Sequence, residues 1–195
     1  AGVTHICFTD HVDFDGVGLP PADIAARNAE IEALKDQFPD IDISFGMEFG
    51  MKDKAACNAA YDHVKSCHMD FVIGSVHIVN GVDAYYPEYF QGRSREEAYL
   101  AYIEKDLECI RVSDFSVMGH YDFCAKHSPY AERSMSYSLA PQIFDEIFRE
   151  LISRGKTFEV NTSAWRYDAP WGLDILRRYR ELGGEYVHTG SAAHK

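Results

Sequence analysis

The chain lacks the features that disulfide-stabilised and membrane-spanning proteins need. Five cysteines are spread along its 195 residues: Cys7, Cys57, Cys67, Cys109 and Cys124. Because they are odd in number and form no CxxC pair, neither a disulfide framework nor a thiolate zinc site is expected. No apolar run approaches the roughly 20 residues that cross a bilayer, and no signal-peptide pattern occurs. We therefore expect a cytoplasmic protein with no membrane association.

The chain also lacks positive charge. Nineteen Lys and Arg stand against 31 Asp and Glu, giving a formal net charge of −12, and no basic run occurs. Nucleic acid binding needs cationic side chains that displace counterions from phosphates, so no nucleic acid partner is expected. A small substrate carrying positive charge suits this field better. The P-loop, GxGxxG and GxSxG motifs are missing too, which leaves nucleotide-binding and serine-hydrolase functions without support.

The hydrophobic content is sufficient for one packed domain. Hydrophobic residues make up 46% of the chain, and a domain holds about 100–200 residues. We expect a single domain over residues 1–195. The opening residues 1–4, Ala-Gly-Val-Thr, read as the end of a helix and its turn, with Gly2 near the C′ position. An N-terminally truncated chain is therefore expected.

Short apolar runs alternate with longer amphipathic stretches along the chain. Six strands are predicted, at residues 5–9, 41–47, 70–77, 115–119, 157–161 and 185–190. Helices are predicted between them, at about 20–37, 53–67, 95–111, 139–154 and 171–182. This alternation favours a parallel sheet with right-handed crossovers. The long loops, such as 121–137, follow strands, which is typical of an α/β barrel with its site at the carboxyl face. A further strand is expected before Ala1.

Potential metal ligands close the apolar runs. They are His11 after ICFTD, Glu48 after ISFGM, His77 after FVIGSV, His120 after FSVMG, and His194 after YVHTGSAA. Since parallel strands bring their carboxyl ends to one face, we predict that these five side chains share one metal site. Imidazoles and carboxylates suit zinc, iron and manganese, and a carboxylate can bridge two ions. Structural roles remain open at single positions, such as a core histidine at His77 or a Glu48–Lys52 ion pair.

Three polar residues are predicted to support this site. Asp122 is expected to orient His120 by accepting its free ring N–H, the alternative being a surface aspartate. Asn161 and Arg166 follow the fifth predicted strand and are expected to cradle a phosphate, since a guanidinium matches phosphate geometry and an amide adds a neutral donor. The alternative for Arg166 is a solvated loop arginine.

The series TDH, GME, GSVH, GHYD, NTS and GSAAH resembles the motifs of the PHP (polymerase and histidinol phosphatase) superfamily, and most of all its PHP-type histidinol phosphatases. The resemblance covers nearly the whole chain. It implies an α/β fold, a distorted (β/α)7 TIM-like barrel whose first β-strand and helix are missing here. It also implies a phosphoric monoester hydrolase with two or three divalent ions, which converts L-histidinol phosphate to L-histidinol and phosphate in histidine biosynthesis.

Carried over by motif, the resemblance gives each ligand a role. Glu48 would bridge two ions, His77 and His120 would complete the second, and His11 and His194 would hold the third. Catalysis is expected to depend on Glu48, His194 and Asp122. Arg166 would help neutralise the phosphate, and acidic or tyrosyl loop residues would receive the cationic histidinol.

Two departures from the family pattern bear on activity. The HxH pair that opens the family is missing, and Ala192 stands where a metal-binding aspartate is expected. We therefore expect this chain to hydrolyse substrate poorly. Two other hypotheses stay open. One is a PHP phosphoesterase for a different monoester, such as phosphotyrosine on protein. The other is an inactive PHP domain that binds metal or a phosphorylated ligand.

Overall fold

The computed structural model describes residues 2–14, 23–65, 69–167 and 172–192. Its strands within these ranges are β1 (His5–Val12), β2 (Asp42–Gly50), β3 (Phe71–Ser75), β4 (Ile78–Val79), β5 (Val82–Asp83), β6 (Val117–Met118), β7 (Thr157–Asn161) and β8 (Val187–Gly190). Its α-helices are α1 (Ile24–Gln37), α2 (Lys54–Val64), α3 (Arg95–Val112), α4 (Phe123–Lys126), α5 (Pro141–Ser153) and α6 (Leu173–Glu181). Three 3₁₀ segments complete the regular structure: Pro87–Phe90, Tyr137–Leu139 and Thr162–Tyr167.

Six strands form one parallel sheet in the order β1-β2-β3-β6-β7-β8. The sheet follows the chain order, with helices between successive strands, and it curls into a half-barrel. The predicted α/β class and parallel barrel-like architecture are therefore confirmed. Parallel pairing also sets the register, so that His11 lies opposite Glu48 across the β1–β2 ladder. No helix in the described ranges is long and apolar enough to cross a membrane.

Helix α5 shows how the helices cover this sheet. Its buried side chains Phe144, Ile147, Phe148 and Leu151 recur at i, i+3, i+4 and i+7, which places them on one face. The ring of Phe148 packs edge-on against Phe158 of β7, with 5.6 Å between ring centroids. Burying each of these side chains contributes about 1.5–3 kcal/mol. The apolar stripe thus fixes α5 against the strand that precedes the 3₁₀ segment at Thr162.

Several helix limits agree with the sequence prediction because local signals define them. Ser94 and Glu97 form the predicted capping box at the start of α3. In the same way, the side chains of Asp23 and Asp53 each accept a backbone N–H in the first turn of α1 and α2. The predicted start of the first helix at Pro20 lies outside the described residues.

The structure differs from the prediction around β3 and β6. Strand β3 ends at Ser75, and a hairpin of β4 and β5 follows, turning at Asn80 (φ 52°) and Gly81 (φ 80°). An Asn-Gly pair at positive φ is the usual two-residue hairpin turn. Strand β6 has only two residues, and α4 lies within the loop that was predicted over 121–137. Elements this short carry no periodicity that a sequence could show.

Candidate metal centre

The site lies at the carboxyl ends of the central strands. His11 and Glu48 lie opposite each other near the ends of β1 and β2. His77 and His120 each lie two residues beyond the last residue of their strands, β3 and β6. The adjacent, parallel placement of these four strands brings together side chains that are far apart in sequence. The predicted convergence is therefore present for four of the five proposed ligands.

His11, Glu48, His77 and His120 form a cluster, and Glu48 lies at its centre. One of its carboxylate oxygens lies 3.1 Å from Nε2 of His120 and 3.4 Å from Nε2 of His77, and the other lies 3.7 Å from Nε2 of His11. A carboxylate that divides its two oxygens among several imidazoles has the arrangement of a bridging metal ligand. The alternatives of a Glu48–Lys52 ion pair and of isolated core histidines do not describe this geometry.

Asp13 is a member of the cluster that the sequence analysis missed. Its Oδ2 lies 3.1 Å from Nδ1 of His11, and its Oδ1 lies 3.9 Å from Nδ1 of His77. Asp13 is buried, and its Oδ1 accepts no hydrogen bond within the described part of the chain. The available signal was its spacing, because a residue two positions after His11 at a strand end projects to the same side.

The donor set fits divalent cations. Two groups, His11–Asp13–His77 and Glu48–His77–His120, each hold their ligand atoms within 4.8 Å of one another. The unpartnered Oδ1 of Asp13 and Nδ1 of His120 are buried polar atoms without a hydrogen bond among the described residues. Such atoms are uncommon in folded proteins unless a water, ion or ligand meets them. Imidazole and carboxylate donors in this number suit zinc, iron or manganese.

Charges within the cluster are strongly coupled. Burial opposes protonation of His11, but its hydrogen bond to Asp13 and the charges of Glu48, Asp13 and Asp10 raise its pKa to about 9. Burial also opposes the charge of Glu48, yet the contacts with His120 and His77 hold its pKa well below the usual value. The carboxylates therefore favour the protonated form of His11, and a cation that binds there would displace this proton.

Asp122 does not orient His120 as predicted. The two carboxylate oxygens of Asp122 have no hydrogen-bond partner within the described residues, and the same holds for Nδ1 of His120. The surface alternative is wrong as well, since Asp122 is 1% exposed, and burial raises the pKa of its carboxyl to about 6. The reason lies in the backbone, because Asp122 occupies the N-cap position of α4 and the chain turns directly after His120.

The two residues predicted to cradle a phosphate lie in different surroundings. The amide of Asn161 is buried and engaged internally. Its Oδ1 accepts from the backbone N and Oγ of Ser163 at 3.0 and 2.5 Å, and its Nδ2 donates to Oε2 of Glu159 at 3.1 Å. The side chain of Asn161 therefore makes hydrogen bonds inside the protein and does not project into an open loop. Arg166 is exposed in the 3₁₀ segment Thr162–Tyr167, and its contact with phosphate stays a prediction.

A buried cation, Lys126, lies close to the cluster. It occupies the last turn of α4 and is 4% exposed, and its Nζ lies 3.4 Å from Oδ1 of Asn161. Burial lowers its pKa, and the neighbouring carboxylates of Asp122, Glu159 and Glu48 act against that shift. Sequence reasoning missed Lys126 because it read the surrounding segment as a loop.

Aromatic rings border the imidazoles on one side. The ring of Phe123 stacks on His120 with 4.9 Å between centroids and lies 5.1 Å from the ring of His77. Further out, the rings of Tyr85 and His127 lie 4.0 Å apart, and Tyr85 is about half exposed. A wall of flat rings therefore extends from the cluster to the surface.

The last predicted ligand, His194, lies outside the described residues. Ala192, two positions before it, is exposed and adopts a φ of 44°. This left-handed conformation is uncommon for alanine, whereas aspartate and asparagine are several-fold enriched in it. Position 192 therefore has a backbone conformation that alanine rarely adopts.

Comparisons with known proteins agree with this geometry. The sequence model of the PHP domain matches residues 1–163. The histidinol-phosphatase of Lactococcus lactis is 31% identical, over 99% of this chain and 74% of its own length. A probable histidinol-phosphatase of Clostridium acetobutylicum is 26% identical, over 79% of this chain and 59% of its own length.

A solved structure agrees over nearly the whole chain. It is the crystal structure of histidinol phosphate phosphatase from Lactococcus lactis in complex with zinc, L-histidinol and phosphate. It superposes with a TM-score of 0.89 at 29% identity, over 97% of this chain and 74% of that one. The chain belongs to the PHP domain family.

Proposed function

We propose that this chain is a metal-dependent phosphomonoesterase that hydrolyses L-histidinol phosphate to L-histidinol and phosphate. The observation that carries the proposal is the contact of one carboxylate, Glu48, with three imidazoles at the carboxyl ends of parallel strands. The names of the relatives from Lactococcus lactis and Clostridium acetobutylicum support the choice of substrate. The structural relative was crystallised with zinc, L-histidinol and phosphate, which are the metal and products that the proposal needs.

Two or three divalent ions would be held by the cluster. Glu48 would bridge two of them, and His77 and His120 would complete the ligands of one. Asp13 and His11 lie within reach of a further ion, for which His194 is the remaining predicted ligand. Ions in such a site polarise phosphoryl oxygens and lower the pKa of the attacking water, to about 7 in the case of zinc. The histidines here would have to be neutral to act as ligands, so metal binding would release the protons that the carboxylates now hold in place.

The positive charge for the phosphate end would come from Lys126 and Arg166. Lys126 reaches the interior beside Asn161, where burial strengthens its attraction for an anion. Arg166, on the exposed 3₁₀ segment, would approach the phosphate from the solvent side. Asp122 would act on Lys126 rather than on His120, because its charge is among those that favour the protonated lysine.

The ring wall suits the imidazole end of the substrate. Burial, followed by the charges of Lys126 and Arg133, lowers the pKa of His127 to about 4, so its ring is neutral at neutral pH. A neutral imidazole beside the phenol ring of Tyr85 offers a flat surface on which another aromatic ring can stack. Phe123 links this surface to the imidazoles of the cluster.

A second candidate function is an inactive PHP domain that binds metal or a phosphorylated ligand. The observation that favours it is Ala192, since a methyl group cannot ligate an ion. The strained φ of 44° at this position is compatible with a lost aspartate. Both hypotheses keep the metal site and differ only in turnover.

The test is phosphate release from L-histidinol phosphate in the presence of zinc or manganese, with a phosphotyrosine peptide as the competing substrate. We expect slow release for the unaltered chain and faster release for Ala192→Asp, with a preference for L-histidinol phosphate. The exposed Ala55→Asp serves as a control for an added carboxylate. Zinc binding without turnover in both Ala192→Asp and the parent would favour the binding domain, and preference for the peptide would contradict the substrate.

A further inference from the structure

The two-residue strand β6 leaves His120 without a ladder partner. Residues Val117 and Met118 pair with Thr157 and Phe158 of β7, and the pairing stops there. The next backbone N–H, that of Gly119, donates to the carbonyl of Gly74 on the other side, in β3. The backbone N–H of His120 therefore needs a different acceptor, since a buried, unpaired N–H is costly.

A carboxylate on the neighbouring strand supplies that acceptor. Oε2 of Glu159, in β7, accepts the backbone N–H of His120 at 2.7 Å and the Nδ2–H of Asn161 at 3.1 Å. Glu159 is buried, and Asn161 is itself held by both donors of Ser163. The carboxylate of Glu159 is thus held by Asn161 of its own strand, and it accepts a hydrogen bond from His120, beyond the end of β6.

Gly190 makes room for this arrangement. A Cβ at position 190 would lie 1.8 Å from Oε1 of Glu159, so any other residue would push the carboxylate aside. Gly190 is the register partner of Asn161 in the β7–β8 ladder, and Glu159 lies two residues before Asn161, on the same face of β7. Three strands, β6, β7 and β8, therefore determine where the carboxylate lies.

We propose that Glu159 is a positioning residue, which sets the place of the His120 imidazole by holding its backbone N–H. The inference rests on the proposed metal site, in which Nε2 of His120 faces Glu48 at 3.1 Å. Glu159 belongs to neither of the two ligand groups found among the described residues. Glu159 acts through one hydrogen bond, which it accepts from the backbone N–H of His120. Loss of this hydrogen bond shifts the imidazole and lowers the affinity for the ion that His120 binds.

The test is a zinc titration against a chromophoric chelator, with folding followed by circular dichroism. His120→Ala is expected to abolish binding of one zinc ion. Glu159→Ala is expected to lower the affinity for that same ion by about 10-fold or more, the scale seen for residues that orient metal ligands. Glu159→Gln keeps an acceptor for the His120 N–H and is expected to restore most of the affinity. In the His120→Ala background, Glu159→Ala is expected to have no further effect on zinc.

The matched control is Asp106→Asn. Asp106 is also a buried acid, on α3, and burial raises the pKa of its carboxyl well above the usual value, so the amide is a close replacement. It is expected to leave zinc affinity unchanged. If Glu159→Ala does not fold, Gly190→Ala displaces the same carboxylate without removing it. The expected result is the same loss of zinc affinity.

The outcomes distinguish the metal site from the positioning role of Glu159. If His120→Ala leaves zinc binding unchanged, the metal site itself is wrong and the inference falls with it. If His120→Ala weakens zinc binding while Glu159→Ala or Gly190→Ala does not, only the positioning role is wrong. A Glu159→Gln variant that binds zinc as weakly as Glu159→Ala would also overturn it, because the negative charge and not the hydrogen bond would then matter.

Discussion

The centre and the edges of the sheet differ in how their side chains are covered. In the central strands Met47 and Phe158 are 0% and 1% exposed, whereas Phe8 on β1 and Val187 on β8 are 43% and 47% exposed. The edge strand β1 becomes buried only at its last residue, Val12, which precedes Asp13 of the cluster. Burial along β1 therefore follows the site.

This difference divides the metal centre into two parts. Glu48 lies in β2, and His77 and His120 follow β3 and β6. Each of these three strands has a parallel neighbour on both sides. His11 lies near the carboxyl end of the edge strand β1, and Ala192 follows the edge strand β8. The central part, Glu48, His77 and His120, is thus supported by strands that are paired on both sides. The peripheral part, at His11 and Ala192, depends on strands that the described structure pairs on one side.

The largest effect is expected for Glu48→Gln, at the centre. The change removes the charge that three imidazoles share and leaves an amide that cannot bridge ions. Losing several kcal/mol of electrostatic stabilisation corresponds to a fall in phosphate release on the order of 10³-fold. Zinc content by atomic absorption is expected to fall with activity. Full zinc occupancy in this variant would contradict a bridging role.

A smaller effect separates core from edge in stability. Phe148→Ala removes a ring that packs against Phe144, Phe158 and Tyr179, and it is expected to lower the free energy of unfolding by about 3–5 kcal/mol. Phe8→Ala removes a half-exposed ring and is expected to cost no more than about 1 kcal/mol. Urea unfolding measures both. Equal losses would show that the edge strand is covered as fully as the centre.

The sequence predicted the central part well because period and position carry that information. Apolar runs ending in His or Glu gave the strands, and parallel pairing alone brings Glu48, His77 and His120 to one face. What it missed lies in short or irregular segments. Asp13 follows a strand end, and Lys126 belongs to a helix of four residues that has no periodicity to detect.

Two other predictions had a common basis. Asp122 and Asn161 were assigned from their nearness to motif residues along the chain, but chain proximity does not determine where a side chain points. A turn of the backbone at α4 separates Asp122 from the ring of His120. Asn161 ends a buried strand and bonds to Ser163 and Glu159. Glu159 itself could not be recognised, because its partner is a backbone N–H across the sheet.

The smallest effect concerns α6, the helix that precedes the edge strand β8. Asp145 of the central helix α5 binds Arg178 of α6, with Nη2 to Oδ2 at 2.6 Å and Nε to Oδ1 at 2.8 Å. The hydrogen bonds from Arg178 and then from Tyr137 lower the pKa of Asp145 to about 2, although partial burial opposes the shift. The ion pair thus joins α6, the helix before the edge strand β8, to α5, which packs on the central part of the sheet.

The sign of the pH dependence follows from that shift. A carboxyl with a depressed pKa in the folded state stabilises the fold above its unfolded value of about 4, and the contribution is lost as pH falls towards 2. Solvent screening limits it to about 1 kcal/mol. Unfolding midpoints in urea between pH 5 and 2.5 should therefore fall more steeply in the parent than in Asp145→Asn, which has no proton to gain. Parallel curves would mean that the pair contributes nothing, and that packing alone holds the edge helix to the centre.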